Sequence, residues 1–241
     1  MSDSLVVNEI FLSLQGESTF AGLPCVFVRL TACDLRCSYC DSTHAFTEGR
    51  RQPLEHVLTA VHRLSTPFER QGALPLPLVE ITGGEPLLQP ACLVLMRQLC
   101  DDGFTVLLET NGAHDISAVD FRVRRIVDIK CPGSGESARN RWDNLTHLRQ
   151  TDELKFVIST VEDYDWAREQ ITRRQLHRLC PILFSWAQPP TVPAGDQKPL
   201  PPSMKIMTRR ELAERIIADA LPVRFQAQLH KIIWPPDQRG V

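Results

Sequence analysis

Leu78-Val79-Glu80-Ile81-Thr82-Gly83-Gly84-Glu85-Pro86 is the stretch on which the fold turns. Its branched apolar residues predict a buried strand, halted by Gly83-Gly84. Pro90 then opens a helix through Cys100, closed by Asp101-Asp102-Gly103. The unit is strand, polar loop, helix. The same unit recurs on both sides. Strands are predicted at 25–31, 104–108, 125–129, 153–158 and 181–185, and helices at 54–64, 140–148 and 162–174. Such alternation argues for right-handed βαβ units and a parallel sheet. These strands are too few for a complete eight-stranded barrel. The expectation is an α/β fold: a partial, open β/α barrel of about six parallel strands, in one domain over residues 1–241.

Open parallel sheets bind ligands at the carboxyl ends of their strands. The distinctive residues follow the strands in that way. A cysteine loop follows the first, Gly83-Gly84-Glu85-Pro86 the second, Glu109-Thr110-Asn111-Gly112 the third, and Lys130 to Gly135 the fourth.

The cysteine loop is Cys33-Asp34-Leu35-Arg36-Cys37-Ser38-Tyr39-Cys40. Its C-x3-C-x2-C spacing supplies three thiolates. A structural zinc site takes four ligands, and a [4Fe–4S] cluster is normally held by four cysteines. Three cysteines leave one iron with an open position for a small molecule. Cys25, Cys92, Cys100, Cys131 and Cys180 form no second C-x2-C half-site. All but Cys131 lie in apolar runs and read as buried thiols. A zinc site that recruits His44 is the alternative reading.

Taken together, the cysteine loop and Gly83-Gly84-Glu85 resemble the radical S-adenosylmethionine (SAM) enzymes. The segment Leu14-Gln15-Gly16-Glu17, then Gly22-x-Pro24, Phe27-Val28-Arg29-Leu30 and Cys40-Asp41-Ser42, narrows the likeness. It is similar to the 7-carboxy-7-deazaguanine synthase family, over about residues 8–231. The resemblance implies a lyase that converts 6-carboxy-5,6,7,8-tetrahydropterin to 7-carboxy-7-deazaguanine and ammonia, on the way to queuosine. It implies a [4Fe–4S] cluster, SAM regenerated in each cycle, and Mg2+.

Site roles carry over by position. Cys33, Cys37 and Cys40 would ligate the cluster. Gly83, Gly84 and Glu85 would bind the amino group of SAM, with Glu109, Thr110, Asn111, Lys130, Ser134, Ser185 and Gln188 as further contacts. Leu14, Gln15, Gly16 and Thr82 would face the pterin, and Arg29 would pair with its carboxylate, which suits a planar guanidinium. Ser42 matches the position that ligates Mg2+, where many members have threonine. Other members carry a Ser-Pro-Lys run near Asp128 to Gly135, and this chain departs from it. His230-Lys231, or Pro235-Pro236, would close the pocket. An electron donor of flavodoxin or ferredoxin type and a homodimer are implied as well. Read without the resemblance, Gly83-Gly84 is an ordinary turn, Arg29 a surface charge, and Asn111-Gly112 a turn.

Two rivals stand beside this reading. A glycyl-radical-enzyme activase would often carry further ferredoxin-like cysteine clusters, and none is present in the sequence. A non-catalytic zinc-binding protein would have no need of Gly83-Gly84-Glu85.

Composition narrows the classes further. The 241 residues hold 27 basic and 29 acidic side chains, a net charge of -2. That balance argues against nonspecific nucleic-acid binding. No apolar stretch reaches about 18–20 residues, so no spanning helix is expected. Met1-Ser2-Asp3-Ser4 lacks the basic start of a signal peptide. A cytoplasmic protein with reduced thiols is expected. Residues 187–203, with six prolines, predict a surface loop. A helix over 207–221 with a Thr208/Glu211 capping box and a strand over 223–229 are expected to follow.

Overall fold

The computed structural model describes residues 4–68, 76–187, 196–235 and 238–241. Gln188, Pro236, residues 188–195 of the proline-rich segment and the extreme N-terminus lie outside them. Among the described residues, nine strands form one sheet. They are β1 (Ser4–Leu14), β2 (Pro24–Leu30), β3 (Arg50–Pro53), β4 (Leu78–Gly83), β5 (Val106–Thr110), β6 (Arg124–Ile129), β7 (Glu153–Ile158), β8 (Ile182–Trp186) and β9 (Arg224–Gln226). The spatial order is β3-β1-β2-β4-β5-β6-β7-β8-β9. From β2 to β9 every neighbouring pair is parallel. The sheet is open, and its parallel part is the expected partial barrel.

Helices α1 (Leu54–Ser65), α2 (Ala91–Asp101) and α3 (Val161–Arg174) connect the parallel strands. In α1, Leu54, Val57 and Val61 are buried on one face, as their 3–4 residue spacing requires. The strand faces turned to the helices supply Val26, Val28, Leu30, Val79, Ile81, Leu108, Leu154, Phe156 and Ile158, all buried in one continuous core. Each such side chain stabilises the fold by about 1.5–3 kcal/mol. Thr160 and Asp163 form a reciprocal capping box at α3. Thr208 and Glu211 form the expected one at α4 (Arg209–Ala218).

Two expectations are corrected. Residues 140–148 form no α-helix, only a 3-10 segment, Trp142–His147. The Asn144 side chain donates to the carbonyls of Gly112 and His114 and accepts from Ile116 N, which pins the segment to the loop after β5. The strand expected over 223–229 keeps only Arg224–Gln226. Beyond it, Leu229 N donates to Gly16 O instead of to a strand. The sequence before the first parallel strand also joins the sheet. β1 runs antiparallel to β2, with β3 on its other edge. Antiparallel pairs need only a short turn, so β1 joins the sheet without a crossover helix.

Candidate active site

Strand alternation builds the site. In β2, residues 26, 28 and 30 face the helices, so Cys25, Phe27 and Arg29 face the other way. On that inner face Cys25, Phe27, Leu78, Leu107 and Ile126 make a small apolar floor. One register step further toward the carboxyl ends the same face turns polar, with Arg29 paired to Thr82 and Asp128 to Lys155. A cavity of about 220 Å³ opens there.

Its lining brings together most of the residues singled out in sequence. Leu14, Gln15, Gly16, Arg29, Cys33, Cys37, Cys40, Ser42, Thr82, Gly83, Gly84, Glu109, Thr110, Asn111 and Lys130 all border it. Glu85, Ser134 and Ser185 do not. Glu85 is fully buried, and its carboxylate accepts from Leu87 N at 2.9 Å, Thr110 Oγ1 at 2.9 and 3.0 Å, and Asn111 N at 2.7 Å. Burial pushes its carboxyl up, against those donors. Ser134 is buried beneath the cysteine loop, where its hydroxyl donates to Cys131 O and its carbonyl accepts from Ser38 N. Ser185 is also buried, its hydroxyl 3.5 Å from Glu17.

The two glycines serve a reason not read from sequence. A Cβ on Gly84 would overlap Ala32 O and sit 3.0 Å from Cys33 N, and one on Gly83 would overlap the Leu30 backbone. Gly83 also has φ +134°, open to glycine alone. They let the strand end pack against the first residues of the cysteine loop, where Gly84 N donates to Leu30 O and Glu85 N to Ala32 O.

The three thiols of that loop face one cavity. Leu35 N donates to Cys33 Sγ at 3.4 Å, and Asn111 Nδ2 lies 3.9 Å from it. Burial pushes all three thiols up, Cys40 to about 12. Lys130 acts in the opposite sense on each. Among the described residues, no three His, Cys, Asp or Glu side chains converge on a point where one ion could sit. A cluster spreads its thiolates over different irons, so three cavity-facing thiols beside a cation fit it. Ser42 donates to Asp41 Oδ1 at 3.1 Å, and this hydroxyl–carboxylate pair offers the hard oxygens that Mg2+ takes.

Arg29 donates through Nε to Glu9 at 2.8 Å and stands 5.8 Å from the Phe11 ring centroid. Gln15 is buried, its amide donating to Glu80 and its oxygen accepting from Glu17 N. Gly16 leaves room for the His230 ring, which a Cβ would strike.

A charged group at the cavity wall was missed in sequence. Lys155 on β7 is buried and pairs with Glu17 at 3.1 Å and with Glu109. Burial opposes its charge, but Glu109 and Glu17 outweigh that and raise its pKa. Burial alone would raise Glu17, yet Lys155 and the Gln228 amide hold its carboxyl below the usual range. Among the described residues no cation bonds Glu80, and burial followed by Glu109 pushes its carboxyl well up. The signal was present: Glu80, Asp128 and Lys155 each stand in a strand between two apolar residues. Nearby, Asp128 bonds Lys130 at 2.7 Å, and Asp41 bonds Lys231 at 2.5 Å.

No family model matches the chain. It is 41% identical to the 7-carboxy-7-deazaguanine synthase of Koribacter versatilis, over 98% of this chain and 99% of that one. It is also 41% identical to the synthase of that name from Chlorobaculum tepidum, over 98% and 97%. Among solved structures it is similar to QueE from Escherichia coli, with TM-score 0.68, 23% identity and coverage of 94% and 95%. Streptococcus suis SuiB bound to S-adenosylmethionine aligns with TM-score 0.57 at 13% identity, over 82% of this chain and 48% of that one. These two likenesses are likenesses of fold.

Proposed function

This chain belongs to the 7-carboxy-7-deazaguanine synthase family of radical SAM lyases, and we propose how its own residues serve that reaction. The substrate is 6-carboxy-5,6,7,8-tetrahydropterin, and the products are 7-carboxy-7-deazaguanine, a queuosine precursor, and ammonia. The observation that carries the assignment is one shared cavity. The cysteine loop, the Gly83-Gly84 turn, the Leu14–Gly16 turn and Arg29 all border it.

Cys33, Cys37 and Cys40 hold the [4Fe–4S] cluster in this reading. One-electron reductive cleavage of SAM is the chemistry the cluster supplies when bound. Gly83, Gly84, Asn111 and Lys130 line the SAM end of the cavity. Glu85 acts from behind, by tying the Gly83-Gly84 turn to Thr110 and Asn111. Arg29 presents its guanidinium to the substrate carboxylate while Glu9 fixes its Nε. Leu14, Gly16 and Thr82 bound the pterin. Gln15 shapes the turn and orients Glu80. Lys155, Glu109 and Glu17 form a charged wall able to hold or move a proton near the ring. Ser42, with Asp41, would supply oxygen ligands to Mg2+, which would neutralise charge beside the substrate.

A homodimer and a donor of flavodoxin or ferredoxin type belong to the same proposal. Among the described residues no helix is long and apolar enough to cross a membrane, and a reducing cytoplasm suits free thiols.

The test is an anaerobic assay with reconstituted protein, reductant, SAM, Mg2+ and 6-carboxytetrahydropterin. Formation of 7-carboxy-7-deazaguanine, abolished by Cys37→Ala, is expected. SAM cleavage without that product would overturn the substrate. A fully loaded protein inert toward SAM would overturn the catalytic role.

A further inference from the structure

We propose that residues 196–198, within the proline-rich segment, clamp the cysteine loop, with Gln197 as the positioning residue for Cys40. The inference rests on the reading of Cys33, Cys37 and Cys40 as cluster ligands. The loop has no strand or helix to hold it: residues 33–41 form only turns and bends. Within the cysteine run, Cys40 N donates to Cys37 O at 3.3 Å. Leu35 N donates to Cys33 Sγ and the Arg36 guanidinium to Cys33 O and Leu35 O, and further groups of the loop take partners from elsewhere in the chain.

Those partners come from two sides. The loop after β6 supplies one. Ser38 N donates to Ser134 O, Ser38 Oγ donates to Gly133 O at 2.6 Å, and Glu136 accepts from Arg36 N at 2.8 Å. Residues 196–198 supply the other. Gln197 is buried, with 7% of its surface exposed, and its Nε2 donates to Cys40 O at 2.5 Å. Lys198 N donates to Arg36 O at 3.1 Å. The Lys198 ammonium closes the ring, bonding Gly135 O at 2.9 Å and Glu136 at 3.0 Å. Asp196 lies 3.8 Å from Arg36. The carbonyls of Arg36 and Cys40 thus both receive donors from one short stretch.

Spacing among three thiolates decides whether they match one rigid cluster. A buried amide that fixes the Cys40 carbonyl also fixes where the Cys40 Sγ can reach. Residues 196–198 thereby set the third corner of the cluster site.

The experiment uses full-length wild type, Gln197→Ala and Gln197→Glu, reconstituted anaerobically. Glu keeps the length but loses the donor. The readouts are iron per chain, the rate at which a chelator strips iron, the electron paramagnetic resonance signal of the reduced cluster with and without SAM, and the melting temperature of the iron-free protein. Both variants are expected to lose iron about fivefold faster, the effect of one lost hydrogen bond. Their spectra are expected to broaden or shift, while the iron-free melting temperature falls by no more than the few degrees that one lost buried hydrogen bond costs. Wild-type iron retention and an unaltered spectrum in Gln197→Ala would overturn the clamp. If Gln197→Ala does not fold, Lys198→Met decides by the same readouts, since it removes only the ammonium contacts. If Cys37→Ala retains a full cluster, the ligand reading fails instead.

Discussion

The Glu85 carboxylate accepts a hydrogen bond from the backbone amide of Asn111 at 2.7 Å and sits behind the cavity lining, which Thr110 and Asn111 border and Glu85 does not. The one acid of the Gly83-Gly84-Glu85 motif is therefore a brace between the loops after β4 and β5. Glu85→Ala leaves Thr110, Asn111 N and Leu87 N without their acceptor. A buried donor left unmade costs about 1–3 kcal/mol. A lower melting temperature of the iron-free protein is expected, by several degrees, together with weaker SAM binding. An unchanged melting temperature would show that the brace contributes nothing.

Gly84→Ala tests the close approach of two backbones. The added Cβ would meet Ala32 O and Cys33 N, neither of which is the end of a flexible side chain. Overpacking of this kind costs typically about 1–3 kcal/mol, and here the strain falls directly on the cysteine loop. Reduced iron loading in parallel with reduced stability is the expected result, read by iron analysis and thermal unfolding.

Arg29 and Glu9 form a relay in which only the first lines the cavity. Charge-assisted hydrogen bonds are worth about 1.5–3 kcal/mol. Arg29→Ala should therefore lower kcat/KM by about 10–100-fold. Glu9→Gln keeps a weaker acceptor and should raise KM several-fold with kcat nearly unchanged. Steady-state kinetics separate the two. Equal loss of kcat in both variants would point to a different role.

The carboxyl of Glu80 is pushed well above its ordinary value of 4.5, by burial and then by Glu109. The folded state therefore binds this proton more tightly than the unfolded chain. The stability it contributes is fully present below pH 4.5 and is lost as pH rises through the raised folded value. Glu80→Gln keeps an oxygen for the Gln15 amide and carries no charge. The variant should be more stable than wild type at neutral pH, with the difference vanishing at acid pH. Denaturant unfolding at several pH values checks the sign.

Asp152 sits far from the cavity, where it accepts from Arg125 NH2 at 2.6 Å, Arg125 N at 3.0 Å and Arg149 N at 2.8 Å. Removing one partner of a buried pair costs about 3–5 kcal/mol. Asp152→Ala should lower stability by that amount in denaturant unfolding. The iron content of the folded fraction should be unaffected, which separates global stability from assembly of the site.

Much of this was legible in the sequence. Helix α1 follows from apolar periodicity, and α2 from Pro90 at its start and Asp101-Asp102-Gly103 at its end; the strand over 153–158 and the charged helix α3 also lie where the sequence puts them. The placement of functional loops after strands follows from the rule for open parallel sheets. The three cysteines stand out because their spacing is local. By contrast, β3 (Arg50–Pro53) is a polar, largely exposed edge held by pairing with β1, and its residues carry no periodic apolar signal.

What the sequence by itself determined is which short segments carry chemistry: the cysteine loop, the two glycines, and the turn at Leu14–Gly16. Their spacing is written in consecutive residues. Only the tertiary structure decided which side chains share the cavity. Lys155 meets Glu17 across 138 residues, and Gln197 meets Cys40 across 157. It also left Glu85, Ser134 and Ser185 out of the cavity lining. A side chain's partner depends on the sheet order and on which face of a strand it occupies. A strand's two-residue period shows which side chains share a face, but long-range packing fixes which face is turned to the cavity.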